Sequence, residues 1–441
     1  MSDPKTPPTF NLKAVVLETG IKPHKLRAWE QRYDLPKPRR TKGNHRIYTQ
    51  KDIDTVKWLM ARLEEGLTIS RAAELWDHLE ERGEDPLGVA AYQMDERPVT
   101  FGTSSALEDI RKKWVNNCLK FDKTAAESVL AQAFAIFPVK MVCLEILQKG
   151  LSHIGQLWFE NKATVQQEHF TSALMVKRLN ALLAAVPSPT RIGRILVTCP
   201  PNEEHTITLL LLSLLLSYRG WDVIYLGADV PLIQLEATIE AVKPDLVVLA
   251  AQRLQTAATL AKVTRFLQEK EINTAFGGSI FNMNPTLHQR VCGYFLGESI
   301  DNAVAAIGQI MTFNPPVSDV EPTPEDYEHA LTHYQAKRHL IEMDTRHAFE
   351  SANLSHEYMY ETNFRVAQDI LAGLSLGDMN FINSELKLSL KLISNYGIAP
   401  DWQYKYFDAY FHAARKNLDG GGLPIIEWLD DARSNCLNPA V

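Results

Sequence analysis

Residues 195–205 read Ile195-Leu196-Val197-Thr198-Cys199-Pro200-Pro201-Asn202-Glu203-Glu204-His205, and a leucine-rich stretch over 207–216 follows them. The apolar start predicts a buried strand and the leucine run a buried helix, so a histidine stands where a strand passes into a helix. In an open α/β sheet, ligands bind beyond the carboxyl ends of the strands. A nearby carboxylate can fix an imidazole's tautomer and orient its second nitrogen toward a metal. Glu203 and His205 are therefore candidate ligand-site residues, although a histidine at a strand end is by itself more often structural.

The α/β pattern continues through residues 191–313. Short apolar runs alternate there with amphipathic helices, which predicts a parallel sheet of five strands. Glycines at 227 and at 277–278 close two later strands, where small residues leave room for a bulky ligand. The predicted strands are Ile195–Val197, Val223–Leu226, Leu246–Leu249, Asn273–Phe276 and Tyr294–Leu296.

Helical patterns lie on both sides of this domain. Residues 104–190 repeat apolar side chains at helical spacing and predict a four-helix-type bundle. After a proline-rich linker over 314–322, residues 323–441 predict an all-helical domain for oligomerisation or sensing. We expect Phe407, Tyr410 and Phe411 to be core residues of that domain, and we expect no metal site at His347 or His356, whose surroundings lack metal-like spacing.

Charge is distributed unevenly along the 441 residues. The net charge is −7, yet residues 1–60 hold thirteen Lys and Arg against six Asp and Glu. A basic head on an acidic body predicts that only the head meets a polyanion. The five cysteines are scattered, which argues against a zinc site or a disulfide framework. With no signal peptide and no apolar run long enough to span a bilayer, we expect a cytoplasmic protein without a membrane partner.

The basic head over residues 1–76 predicts a helix-turn-helix, followed by a linker over 77–103. Its second helix begins at Pro23, a favoured first helical residue, and a basic hairpin can turn at Gly43-Asn44. Trp29 and Tyr33 fall on the inner face of that helix, so we expect them in the core. The predicted contacts to double-stranded DNA are Lys25, Arg27, Arg32, Arg39, Arg40, Lys42, His45, Arg46 and Tyr48.

These residues carry a family resemblance. The run Arg27-Ala28-Trp29-Glu30-Gln31-Arg32-Tyr33, then Pro38, then His45-Arg46-Ile47-Tyr48 and Asp52, resembles the MerR family of winged-helix regulators. The likeness covers roughly 65 residues at family-typical spacing. It implies a winged helix-turn-helix that binds a DNA operator.

Residues 104 to 312 resemble the cobalamin-binding unit of the CarH/LitR light-responsive regulators, a branch of that family. The likeness rests on Glu203-Glu204-His205 and on Trp158, followed after nine residues by Glu168-His169. It implies a flavodoxin-like (Rossmann-type) cobalamin-binding domain, with His205 as the lower axial cobalt ligand. It also implies that the bundle caps an upper ligand, typically 5′-deoxyadenosyl. The implied cofactor-binding residues are Trp158, Glu168, His169, Glu203, His205, Gly277 and Gly278.

Three positions depart from the family's pattern. Phe159 stands where well-known members have a histidine after the Trp, which rules out the usual bis-histidine light-state adduct. Thr208 replaces the glycine of the lower-ligand motif, and Ala250 replaces a serine at a strand end. These departures bear on the space for the nucleotide tail and on the response to light.

The expected function is a light-responsive, DNA-binding homo-oligomer (dimer or tetramer) that holds adenosylcobalamin, and not an enzyme. One alternative is the same regulator with a bilin-type tetrapyrrole or no chromophore. A second is a corrinoid carrier of a methyltransferase or mutase, which needs a catalytic body such as a barrel of about 250 residues. No region of this sequence has that length together with a βα rhythm.

Overall fold

A computed structural model of the chain describes residues 10–41, 43, 45–64, 67–81, 86–87, 101–317, 320–352, 354, 358–395 and 400–437. It confirms the predicted fold class: a winged helix-turn-helix, a helical bundle, a five-stranded parallel α/β domain and a helical C-terminal region. Every helix in the described part of the chain is too short or too polar to traverse a membrane.

The head folds around two short helices and a hairpin. The antiparallel pair β1–β2 is extended by a bridge between Phe10 and Tyr48, which fastens the start of the described chain to the hairpin. Trp29 is buried in the head's core, as predicted, and Tyr33 packs against that core. The elements are α1 (Leu12–Thr19), α2 (Pro23–Tyr33), β1 (Arg39–Arg40), β2 (Arg46–Ile47), α3 (Gln50–Glu64) and α4 (Ile69–Glu81).

The predicted borders of the first linker need correction. Helix α4 continues past residue 76 to Glu81, because Leu79 belongs to the same buried face as Ala72 and Trp76. At the other end, α5 begins at Phe101, inside the predicted linker. Residues 82–85 and 88–100, which make up most of the linker, lie outside the described residues.

Four helical stretches form the bundle. Thr164 caps the last of them in a capping box with Gln167, in which each side chain bonds the other residue's backbone N–H. The third stretch contains a π-helical segment, which apolar periodicity alone does not predict. The elements are α5 (Phe101–Leu119), α6 (Lys123–Ile136), α7 (the continuous segments Val139–Met141, Val142–Gln148 and Lys149–Phe159) and α8 (Val165–Ala184).

The α/β domain confirms the five predicted strands, which are all parallel and lie in the order β4-β3-β5-β6-β7. The chain leaves β3 to one side for β4 and returns to its other side for β5, so the switch point lies between β3 and β5. The elements are β3 (Arg194–Thr198), α9 (Ile207–Tyr218), β4 (Asp222–Gly227), α10 (Leu235–Val242), β5 (Leu246–Ala250), α11 (Leu254–Glu269), β6 (Thr274–Gly277), α12 (Ser279–Met283), β7 (Tyr294–Phe295) and α13 (Ile300–Phe313).

The C-terminal region is helical, as predicted. Phe407, Tyr410 and Phe411 are buried in its core, which confirms their predicted place. The elements are α14 (Glu325–Ser351), α15 (Met359–Leu376), α16 (Ile382–Asn395), α17 (Pro400–Leu418) and α18 (Leu423–Leu437).

The central sheet is covered on both faces. Ile195 and Val197 of β3 point into a core shared with the bundle, whose helix α8 packs against α9. The intervening Leu196 points into a second core, which joins the sheet and α11 to the C-terminal helices. Because successive side chains of a strand face opposite ways, one strand contributes to both cores. Both faces of the sheet are therefore packed among the described residues, which leaves the carboxyl ends of the strands as the candidate place for a ligand.

Candidate functional site

His205 lies in the loop after β3, at the switch point of the sheet. Its Nδ1 is 2.7 Å from Oε1 of Glu203, and its backbone N–H donates to the same oxygen at 2.9 Å. The Glu203 side chain is 1% exposed, whereas that of His205 is 53% exposed. A carboxylate acceptor at Nδ1 places the proton there and leaves Nε2 with a free lone pair. His205 therefore presents a basic ring nitrogen at the edge of the sheet.

Glu203 is held by donors from two segments of chain. Its second oxygen, Oε2, accepts from the Thr256 hydroxyl at 2.6 Å and from the backbone N–H of Gln252 at 2.7 Å. Burial acts to raise the pKa of Glu203, but the hydrogen bonds from His205, Thr256 and the backbone outweigh it, and the pKa lies below its ordinary value. The carboxylate is thus a fixed anion that joins the loop after β3 to the loop after β5.

Gln252 continues this network toward the end of β6. Its Oε1 accepts from both the backbone N–H and the hydroxyl of Ser279, at 3.1 and 2.8 Å. Since a backbone N–H only donates, the orientation of the amide is fixed. The Nε2 atom of Gln252 is then a buried donor without a partner among the described residues. An unpaired buried amide donor costs about 1–3 kcal/mol, so it is a feature that a ligand's acceptor would satisfy.

The two predicted glycines, Gly277 and Gly278, lie at this same edge. Gly277 ends β6, and its carbonyl accepts from the backbone N–H of Ala251 at 3.0 Å. Gly278 has a φ of +126°, and a Cβ there would lie 1.9 Å from the carbonyl oxygen of Ala251. Only glycine lets the two loops approach this closely.

The bundle residues form a cluster of their own. The imidazole Nδ1 of His169 is 2.7 Å from Oε2 of Glu168, whose other oxygen accepts from the Ser172 hydroxyl at 2.6 Å. His169 is exposed and Trp158, near the end of α7, is half-buried. No hydrogen bond or ion pair in the described part of the chain joins this cluster directly to His205. The pairing of a carboxylate with an imidazole nevertheless repeats the arrangement of Glu203 and His205.

The three departures occupy distinct places. Phe159 is half-buried at the end of α7, and Thr208 is half-buried in the first turn of α9. Ala250 is buried at the end of β5. Burial raises the pKa of the Cys199 thiol, directly after β3, to about 12, so this thiol remains protonated at neutral pH.

No group of three or more His, Cys, Asp and Glu side chains among the described residues is arranged as a metal site. A metal at this edge would therefore depend on His205 and on ligands brought by a cofactor. In the C-terminal domain, His347 lines an open groove of about 530 Å³ between α14 and α17, and Lys405 and Asp408 give its rim both signs of charge. His356 lies outside the described residues.

The head presents most of its predicted DNA contacts to solvent. The exposed residues are Lys25, Arg27 and Arg32 on α2, and Arg39, Arg40 and His45 in the hairpin. Lys42 lies outside the described residues. Cations on a helix and on its adjacent wing can reach phosphates on either side of one groove.

Tyr48 requires a correction. Its side chain is 0% exposed, and its hydroxyl donates to Oε1 of Glu30 at 2.6 Å. Nε of Arg46 donates to the other oxygen of Glu30 at 2.7 Å. The Tyr48 side chain lies in the head's core and joins the hairpin to α2 through Glu30, so it has no exposed surface with which to contact DNA. Arg46 is half-buried, and its bond to Glu30 also joins the hairpin to α2.

The sequence did not single out several residues that organise the sites. Gln252 and Thr256 hold Glu203 from about 50 residues away, and no local spacing announces that contact. Glu30 has a visible signal: it is the one acidic residue in the basic run 27–33. A single acidic residue within a basic helix indicates that its side chain pairs with another residue of the same protein.

Three family models match the chain. Residues 10–79 match the MerR HTH family regulatory protein, and residues 110–183 and 193–306 each match a B12 binding domain. None of these three models extends beyond residue 306. Fold, site and matches together define a DNA-binding regulator with B12-binding domains.

Curated relatives include the HTH-type transcriptional repressors CarH and CarA of Myxococcus xanthus. CarH is 32% identical over 239 residues, which cover 54% of this chain and 77% of CarH. CarA is 31% identical over 259 residues, 58% of this chain and 81% of CarA. This chain belongs to the family of CarH and CarA, MerR-type transcriptional regulators with B12-binding domains, and is a regulator and not an enzyme.

Solved structures resemble parts of the chain. The monomethylamine corrinoid protein of Methanosarcina barkeri shares 16% identity, covers 46% of this chain and 99% of its own, and superposes with a TM-score of 0.40. A cobalamin-binding protein from Desulfitobacterium hafniense shares 15% identity, covers 45% and 98%, and has a TM-score of 0.27. Scores this low support no inference about function.

Proposed function

We propose that this chain is a light-responsive transcriptional regulator that holds adenosylcobalamin through His205 and binds double-stranded DNA through its head. The observation that carries the proposal is the contact of His205 with the buried carboxylate of Glu203. This contact pre-orients an exposed imidazole with Nε2 free, as a lower axial ligand requires. Bound adenosylcobalamin would supply a cobalt–carbon bond that light breaks.

The residues around His205 suit such a cofactor in two further respects. Gln252 offers a buried amide donor without a partner, which can serve a polar atom of the nucleotide tail in place of the hydroxyl missing at Ala250. Gly277 and Gly278 keep the adjacent strand end free of side chains. The site would thus still offer a hydrogen bond to the nucleotide tail, although Thr208 and Ala250 depart from the family's pattern.

The bundle supplies the second wall in this proposal. Trp158 offers an aromatic face, and Glu168 and His169 offer a hydrogen-bonding pair to the upper ligand. Because Phe159 has no metal-binding atom, this chain would not form the bis-histidine adduct after light. We expect the light state to differ from that of relatives with a histidine at this position.

DNA binding in this proposal comes from exposed cations on α2 and the hairpin, with Glu30 holding the two elements together. A ligand between bundle and sheet would stabilise one arrangement of these domains in a homo-oligomer. Several heads on one DNA molecule then bind far more tightly than one. Loss of the upper ligand in light would weaken that assembly.

The test uses the full chain, purified in the dark and incubated with adenosylcobalamin. We expect the corrinoid to remain bound through gel filtration, and we expect green light to change both the assembly mass and the affinity for duplexes selected from a random pool. His205→Ala should lose the corrinoid, whereas His339→Ala, an exposed histidine on α14, should keep it. A chain that retains no corrinoid contradicts the cofactor, and light-insensitive DNA binding contradicts the light response. A bilin-type absorption spectrum would support the alternative chromophore.

A further inference from the structure

Three consecutive residues in the first turn of α11 join the C-terminal domain to Glu203 of the α/β domain. The backbone N–H of Leu254 donates to Oε1 of Glu385 on α16 at 3.2 Å, and the side-chain amide of Gln255 donates to Asp369 on α15. The next residue, Thr256, donates to Glu203. One helical turn is therefore held on one side by the C-terminal domain and on the other by the carboxylate that orients His205.

The side chains of Asp369 and Glu385, the two acids of the C-terminal domain at this contact, are both buried. Burial, and then the neighbouring Glu385, raise the pKa of Asp369 to about 7. Burial also raises the pKa of Glu385, with Glu203 adding to the effect. Arg253 and Arg365 oppose these shifts, and His205 opposes that of Glu385. Neither carboxylate has a cation within ion-pair distance among the described residues.

Buried acids without a paired cation are costly, and apolar residues of similar size would stabilise such an interface better. Within the described part of the chain, the side chains of both acids accept from the first turn of α11. Helix starts have unpaired backbone N–H groups, and Glu385 satisfies that of Leu254. The acids are thus placed to fix the turn from which Thr256 reaches Glu203.

We propose that Glu385 and Asp369 are positioning residues, through which the C-terminal helical domain sets the orientation of Glu203 and hence of the His205 imidazole. The inference rests on the proposed function, because it takes His205 as the cobalamin ligand. It assigns a role to a domain that lies beyond the three matched family models. Since coupling is reciprocal, a ligand on His205 also acts on α15 and α16.

The first experiment is a titration of the full chain with hydroxocobalamin, followed by visible absorption. Glu385→Ala removes the acceptor for Leu254 and should weaken binding about tenfold, within the usual range of coupling between sites. Glu385→Gln keeps an acceptor oxygen and should restore most of the affinity. Asp401→Asn removes an exposed acid on α17, paired with Lys405 at 2.6 Å, and should bind like the wild type. Equal affinity in Glu385→Ala and the wild type would overturn the inference.

A second measurement does not depend on how well Glu385→Ala folds. In the wild type, hydroxocobalamin should slow amide hydrogen exchange in α15 and α16, and in His205→Ala it should leave that exchange unchanged. If the wild type binds hydroxocobalamin and its α15 and α16 exchange is unaffected, the inference fails while the cofactor proposal stands. If the wild type binds neither hydroxocobalamin nor adenosylcobalamin, both fail.

Discussion

The Nδ1 atom of His205 lies 2.7 Å from Oε1 of Glu203, and the acid is buried while the imidazole is half in solvent. This asymmetry gives the two residues different tasks. Glu203 is fixed by donors on both oxygens, so it holds the imidazole at little further loss of conformational entropy. His205 keeps an accessible nitrogen in a set direction.

Replacing Glu203 by Gln tests that pre-organisation. The amide places an NH₂ group where one oxygen accepts two hydrogen bonds, so it cannot satisfy all the donors and no longer fixes the imidazole. Loss of such an outer partner typically lowers metal affinity about 10–100-fold, and we expect that loss for hydroxocobalamin in an absorption titration. Glu204→Gln, at the exposed neighbouring position, is the matched control. Wild-type affinity in Glu203→Gln would show that His205 needs no carboxylate.

The sequence predicts the local half of this site and misses the distant half. Glu203 and His205 are two residues apart, and their place after an apolar strand follows from periodicity alone. Their partner Thr256 comes from the next element across the switch point, and such contacts depend on tertiary folding. Glu385 belongs to a domain whose docking on α11 no local pattern predicts.

Gly278 tests whether the closeness of the two loops is required. A methyl group there would lie 1.9 Å from the carbonyl oxygen of Ala251, in a backbone conformation that L residues rarely adopt. We expect Gly278→Ala to lower the free energy of unfolding by about 3 kcal/mol or more. Gly308→Ala, in helix α13 with nothing within 4 Å of the added methyl, should stabilise the chain by about 0.5–1 kcal/mol. Urea denaturation of both variants makes the comparison, and equal midpoints would contradict it.

In the head, the sequence correctly predicts that most of the cations are exposed, but the prediction that Tyr48 contacts DNA conflicts with its burial. A motif that contains Tyr48 gives no information about the tertiary packing that places its side chain in the head's core. Burial and the Glu30 carboxylate raise the pKa of Tyr48, so its hydroxyl remains a donor at neutral pH. Glu30 joins α2 to the wing by accepting from Arg46 and Tyr48.

Glu30→Ala should loosen the wing. The variant leaves the buried Tyr48 hydroxyl and part of the Arg46 guanidinium without an acceptor, at a cost of about 2–3 kcal/mol. We expect faster amide exchange across residues 10–79 of the full chain, together with weaker binding to DNA. Glu18→Gln breaks an exposed pair with Lys57 at 2.8 Å and should cost less than about 1 kcal/mol. Unchanged exchange in Glu30→Ala would mean that the wing is held by its backbone alone.

Asp369 makes stability depend on pH in a direction that its burial determines. Its pKa is about 7 in the folded chain, against an ordinary value of 3.8, so between these values the folded state binds the extra proton. The free energy of unfolding therefore falls as pH rises through this window, by up to about 1 kcal/mol per pH unit, and stops falling above it. The effect is opposite to that of a carboxylate stabilised by a salt bridge.

Asp369→Asn keeps an oxygen for Gln255 and removes the ionisation. We expect the Tm of the variant to exceed that of the wild type by an amount that grows from pH 5 to pH 7 and then levels off, because in this range only the wild type must keep a proton on folding that its unfolded chain releases. Asp401→Asn should give a Tm profile parallel to the wild type, since that acid is exposed. Thermal denaturation of the three full chains in one buffer series measures this difference. Parallel profiles for Asp369→Asn and the wild type would show that the interface with α11 tolerates the ionised carboxylate.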